Sequence, residues 1–470
     1  MLRYFEGLLK LMNEKKDPLK KNIRHTDKRF KSVNKYQKHA FVRFIDIESN
    51  IVNSVYIRTE RASFIANISK EDIQSAYEDC CDIIEKCEKN ERKQFTPQFE
   101  NLEKIIKLIK NNNFEESLKQ INPLIQETNL KSSILPLLYF FKGIILFNSK
   151  TPKYEEVIRS FNNSGRLQKN NELLFLFRGL SFRYLHKYEC AIEDFEKVIK
   201  NHVKKELAFL GLGLIMSDLE NYHCAIENFT KAIKINPEYD GAYNNRGNAK
   251  CFLEKYEDAI DDYTKAIKLN PKYYAAYNNR GEAKYFLEKY EDAIDDYTEA
   301  IKLDRKYDIA YNNRGNAKCF LEKYEDAIED YTEAIKLDPK YDLAYNNRGE
   351  AKLELERYEE AIDDYTEAIK LNPKYDHAYN NRGNAKLDLE RYEDAIDDYR
   401  EVIKLDPKYD RAYYNLGLAK YFLEKYKEAI EDYTEAIKLD PKYVRAYNNR
   451  GNAKLELERY EEAIDDYTEA

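Results

Sequence analysis

The sequence predicts an all-α solenoid of antiparallel helix pairs, and three observations predict it. The string Ala-Tyr-Asn-Asn-Arg-Gly begins at residues 242, 276, 310, 344, 378 and 446, with Ala-Tyr-Tyr-Asn-Leu-Gly at 412, so the chain repeats itself every 34 residues. Each period holds two stretches of helical periodicity and closes near a proline. The composition, 35% charged and 43% hydrophobic with 41 Tyr and 22 Phe, is too aromatic for a disordered chain and too charged for a membrane protein. No run of about 18 apolar residues exists to span a bilayer.

In chain order, residues 1–97 read as a basic, partly helical region with 20 Lys and Arg against 15 acids. The apolar stretch before Glu14 is too short for a signal peptide, and seven cysteines without framework spacing suit a reducing compartment, which points to the cytoplasm. Residues 14–43 hold eleven Lys and Arg against three acids, interleaved with Phe30, Tyr36 and Phe41. That stretch fits a solvated arm, an intramolecular contact for the acidic remainder, or a contact with membrane lipid or RNA. Residues 40–68 are ambiguous, and 69–94 read as a helix. Two divergent helical repeats follow in 98–171. The regular array is 172–470, eight full 34-residue units and a ninth of 27 residues. Residues 98–470 carry 58 basic against 71 acidic groups, which disfavours nucleic acid as a partner of the array.

One unit, 240–273, shows the pattern. In its second half Tyr256, Ala259, Ile260, Tyr263, Ala266 and Ile267 form one helical stripe, ended by Asn270-Pro271. Glu257 and Asp258 near the start and Lys268 near the end suit the helix dipole. In the first half Ala242, Tyr243, Arg246, Gly247, Ala249, Lys250 and Leu253 share one arc, and Gly241, Asn244, Asn245, Asn248, Cys251 and Phe252 the other. Gly247 leaves room for a close helix neighbour. Neither helix can bury its stripe alone, so the units must stack.

Tyr243, Gly247, Tyr256, Ala259, Tyr263, Ala266 and Pro271, returning in every unit from 240 onward with small lapses, resemble the tetratricopeptide repeat family. Two features depart from it. Charged Arg246, Arg280, Arg314, Arg348, Arg382 and Arg450 stand where the family usually has an apolar residue, and Lys250 and its equivalents where it often has a bulky one. Their stems are expected to pack with the charged heads at the edge, the Arg stacking on a nearby Tyr. The chain also stops at Thr468-Glu469-Ala470 without a polar capping helix, which is expected to expose an apolar face, left either by truncation or for a partner or a second copy.

The resemblance implies a right-handed superhelix whose concave wall is lined by the first helix of each unit. On that wall an asparagine row, Asn245, Asn279, Asn313, Asn347, Asn381, Asn415 and Asn449, offers donors and acceptors to an extended peptide backbone, or serves the structure alone. It is similar to the ladder in the repeat array of the O-linked N-acetylglucosamine transferase, whose catalytic part has no counterpart here. Side-chain readout is expected where units differ. One position alternates Asn248, Glu282, Asn316, Glu350 and Asn384; another changes from Phe252, Phe286 and Phe320 to Glu354, Asp388 and Glu456, with Phe422 between. These suit a ligand with apolar or aromatic side chains at one end and Lys or Arg at the other. The basic clamp that some family members use for chaperone carboxylates is not matched: its positions hold Asn244, Asn278 and Asn312, with Gly241, Ala275 and Ile309 a turn earlier.

No phosphate-binding loop, zinc-protease motif or nucleophile elbow is present. Cys80, Cys81 and Cys87 lack a histidine or second cysteine pair for zinc. Repeat-driven burial is expected for Cys190, Cys224, Cys251 and Cys319, and a solvated face for carboxylate pairs such as Asp261-Asp262. The expectation is therefore a non-catalytic scaffold without cofactor or metal that binds an extended segment of a protein partner. Self-association through the last repeat, or an adaptor whose basic arm touches membrane or RNA, are the alternatives.

Overall fold

The computed structural model describes residues 96–128, 135–149, 151–164, 172–200 and 204–470. The basic stretch 14–43, the ambiguous 40–68, the helix read in 69–94 and Cys80, Cys81 and Cys87 lie outside the described residues. Among the described residues there are 22 helices and no strands. The first four are α1 (Thr96–Lys110), α2 (Phe114–Glu127), α3 (Leu135–Asn148) and α4 (Tyr154–Asn163). From α5 (Glu172–Tyr184) onward the helices alternate in pairs, as in α9 (Asp240–Cys251) with α10 (Tyr256–Leu269), until α21 (Val444–Glu456) with α22 (Tyr460–Glu469).

Why each pair packs is visible in the unit 240–273. Ala259, Tyr263 and Ala266 of its second helix are essentially free of solvent, and Ala259 and Tyr263 cluster with Ala283 of the next unit's first helix. The stripe read from periodicity is therefore the core, with Tyr256, Ile260 and Ile267 at its half-buried margin. Gly247 makes the closest approach: a Cβ there would sit 2.7 Å from Cε1 of the Tyr263 ring. Repetition extends the rule, since Gly315 faces Tyr331 and Gly383 faces Tyr399 in the same way. Alanine at any of them would force the ring out of a filled core.

The two helices of a unit join through a tight turn whose Glu lies in the left-handed region, as at Glu254, Glu288, Glu322 and Glu356, with φ of 58–60°. A non-glycine residue there costs roughly 1 kcal/mol, which the packing on either side offsets. The turn closes by a hydrogen bond from Lys255 N to Lys250 O at 2.9 Å.

The arginines do not end at the edge as expected. Arg246 donates from Nε and Nη2 to both carboxylate oxygens of Asp262, 2.9 and 2.6 Å away, and from Nη1 to Thr230 Oγ1 of the preceding repeat at 3.1 Å. Lys250 Nζ reaches the same carboxylate at 2.8 Å. The guanidinium also lies over Tyr243, 5.5 Å from its ring centre, the stacking that was expected. This clip recurs at Arg280–Asp296, Arg314–Asp330, Arg348–Asp364, Arg382–Asp398 and Arg450–Asp466. The solvated-face reading of the acidic pairs is thereby corrected. Asp261 is exposed, but Asp262 is only 4% exposed, because it must meet two cations from the facing helix.

Strong contacts between helices join neighbours in sequence, and beyond these the first helices of successive repeats touch one another. Among the described residues the approach of first helices to one another is closer than that of successive second helices, so first helices line the inner wall and second helices the outer one. Cys190 is exposed rather than buried, while Cys224, Cys251 and Cys319 are half-buried. In the last pair Tyr460 and Ile464 are exposed.

Candidate functional site

The inner wall is built from five positions of each first helix, those of Gly241, the Asn244–Asn245 pair, Asn248 and Phe252 in the unit 240–273. Its floor is a seam of amides. Asn279 Nδ2 donates to Asn244 Oδ1 at 3.2 Å and to Asn248 Oδ1 at 3.1 Å, both in the preceding repeat. Asn313 donates to Asn278, Asn347 to Asn312 and Asn316, and Asn415 to Asn380 and Asn384. Asn381 donates to Asn346 and to the Glu350 carboxylate. At the two ends the partner changes with the sequence. Asn245 donates to Gly241 O of its own helix, because Leu210 replaces the acceptor in the repeat before. Asn449 donates to Tyr414 Oη, because a tyrosine stands where the others have asparagine.

The asparagine row thus lies in the floor of the wall, and from Asn279 to Asn449 its amide N–H groups face the neighbouring repeat. Asn245 and Asn313 are buried and the others half-buried. Sequence reasoning missed that the adjacent Asn244, Asn278, Asn312, Asn346 and Asn380 are acceptors of the same seam. The signal was available: two consecutive asparagines recur together, as a two-partner ladder requires.

The positions that vary sit above the seam. At the first, Tyr263, Tyr331 and Tyr399 of the second helix donate to Asn248, Asn316 and Asn384 at 2.8–2.9 Å. Glu350 instead accepts from Asn346 and Asn381. Burial raises its carboxyl above the usual range, the two amide bonds pull it back, and Glu354 a turn away pushes it up again. Burial also pushes Glu282 up to about 7. The thiols of Cys251 and Cys319, beside these sites, are pushed up to about 12 by burial and are not nucleophiles at neutral pH.

The second variable position lies nearer solvent. Phe252 stacks on Tyr222 of the preceding repeat with ring centres 4.7 Å apart, Phe286 on Tyr256 at 4.9 Å, and Phe320 on Tyr290 at 4.9 Å. The aromatic wall therefore consists of inter-repeat stacks, of which Phe252, 58% exposed, presents a free face and Phe286 and Phe320 are half-buried. Where the phenylalanine is absent, exposed Glu354, Asp388 and Glu456 take its place. Each lies close enough to raise the pKa of the tyrosine in the stacking position, Tyr324, Tyr358 and Tyr426 respectively, after burial itself.

Among the described residues no group of His, Cys, Asp or Glu is placed to hold a metal ion, and no helix is long and apolar enough to cross a membrane.

Family models described as tetratricopeptide repeat match residues 241–273, 274–307, 309–341, 343–375, 410–443 and 444–470, and a second such model matches 208–239. A further model, described as TPR repeat, matches 383–423. Together they cover more than half of the chain, which belongs to the tetratricopeptide repeat family, a class of protein–protein interaction scaffolds. No curated protein matches the sequence. Among solved structures, the chain is similar to MamA at 26% identity over 33% of this chain and 91% of that one, with a TM-score of 0.32. It is similar to YrrB, described as a TPR protein with an unusual peptide-binding site, at 24% identity over 40% and 96% of the two chains, TM-score 0.36. The Cut9–Hcn1 hetero-tetramer of the APC/C is similar at 16% identity over 72% of this chain and 66% of that one, TM-score 0.44.

Proposed function

We propose that the protein is a non-catalytic scaffold that binds an extended segment of a partner protein along the inner wall, with residues 172–470 as the recognition array and 98–171 as two divergent repeats before it. One observation carries this reading. The residues that hold the helices together, the Gly–Tyr contact and the Arg–Asp clip within a repeat and the amide seam between repeats, recur with little change, whereas the two upper wall positions change chemistry from repeat to repeat. A scaffold needs its joints constant; variation concentrated on one accessible wall is what side-chain readout of a ligand requires. The acidic body keeps the array away from nucleic acid.

The test is affinity capture from cytosol with the full chain as bait, beside a wall variant (Glu354→Arg with Asp388→Arg) and an outer-face variant (Asp295→Arg with Asp363→Arg). A partner retained by the outer-face variant and lost from the wall variant is expected. Equal retention by both would place binding elsewhere.

A further inference from the structure

From Ala275 to Asp388 the described wall positions hold carboxylates and no Lys or Arg. The basic residues of the same first helices are already committed to buried aspartates: Arg280 and Lys284 to Asp296, Arg314 and Lys318 to Asp330, Arg348 and Lys352 to Asp364. The wall carboxylates are therefore left without cations. They are also ordered: the half-buried position is acidic in every second repeat, at Glu282 and Glu350, with Asn316 between them. Glu354 adds exposed negative charge beside the second of these, and Asp388 does so in the next repeat.

A second observation comes from beneath the wall. Tyr365 is fully buried and its hydroxyl has no hydrogen-bond partner. In other repeats the equivalent hydroxyls of Tyr263, Tyr331 and Tyr399 donate to the wall asparagine. Tyr365 is thus aimed at the place of Glu350, whose carboxylate bonds Asn346 and Asn381 instead. A buried hydroxyl left unpaired is costly, and so is a buried carboxylate without a counter-charge. An added cation that engages Glu350 relieves the second cost.

Resting on the groove reading above, we propose that the wall takes a lysine- or arginine-bearing extended segment, with one cationic side chain seated on Glu350 and Glu354 and another two repeats earlier on Glu282. The acidic alternation then sets the register of the segment, and the intervening Asn316 tolerates an uncharged residue.

The experiment uses the full chain and two fluorescein-labelled dodecapeptides, one alternating Lys and Ala and one alternating Ser and Ala, each with a central photo-crosslinking residue. The wall variant is Glu282→Gln, Glu350→Gln, Glu354→Gln and Asp388→Asn. The outer-face variant, with the same change in charge, is Asp261→Asn, Asp295→Asn, Glu329→Gln and Asp363→Asn. The Lys–Ala peptide is expected to bind the native chain and to lose about tenfold in affinity on the wall variant only. The single exposed change Glu354→Lys, which leaves the packing intact, is expected to weaken binding in the same direction. Equal weakening by wall and outer-face variants, or no binding of the Lys–Ala peptide, overturns the proposal. Equal binding of both peptides with crosslinks on the wall overturns the basic preference and leaves the groove reading standing. Crosslinks confined to the second helices overturn both.

Discussion

Glu282 shows how a single residue carries a measurable signature of the wall. Burial raises its folded-state pKa to about 7, above the ordinary carboxyl range of an unfolded chain. Folding therefore favours the neutral acid. Its contribution is fully present below about pH 4 and is lost as pH rises through about 7. Glu282→Gln keeps the shape and stays neutral, so the variant should match the native chain near pH 4. By pH 8 it should be more stable by on the order of 3 kcal/mol, read from urea midpoints. A gap that does not change with pH would contradict the burial. At this scale the sequence was least legible. The alternation of Asn and Glu was plain, but Asp262 reads like its neighbour Asp261 until Arg246, sixteen residues away, is placed against it. Cys190 was misjudged for a related reason: its position in the repeat suggested burial, and its side chain lies on the exposed side of the helix.

Helices are joined by the Arg–Asp clip, and the chain contains its own variants of that joint. In the unit 206–239 both partners are neutral, Leu212 and Asn228, and Asn228 bonds a carbonyl of its own helix instead, Cys224 O at 2.8 Å. In the unit 410–443 Leu416 replaces the arginine while Asp432 remains, held by Lys420. Burial there raises the Asp432 carboxyl, whereas Arg450 and Lys454 leave Asp466 lowered despite its own burial. Losing one partner should therefore cost more than losing both. Arg314→Leu is expected to destabilise by about 3 kcal/mol, and Arg314→Leu with Asp330→Asn by less, in a double-mutant cycle read by chemical unfolding. A double variant as unstable as the sum of the two singles would show that the charges do not act as a pair. This joint was not legible in the sequence: periodicity alone assigned the arginine head to the edge, and the paired change to Leu212 and Asn228 gains meaning only once Arg246 is placed against Asp262.

Across the whole molecule, the 34-residue period, the two stripes and the proline stops were enough to foresee the alternating helices, because each repeat solves the same packing problem with the same residues. The wall was legible as a set of positions. Its division into a structural floor and a variable upper tier was not, since both are rich in asparagine and only the hydrogen-bond partners separate them. That division is what turns a repeat array into a candidate reader of other proteins, and it is open to direct measurement. A photo-crosslinking amino acid would replace Phe252 or Asp388 on the inner wall, and Asp261 or Asp363 on the outer face, in the full chain exposed to cytosol. Crosslinked partner from the wall positions, with little from the outer ones, is the expected result. The same partner recovered from the outer positions and absent from the wall would contradict the central claim.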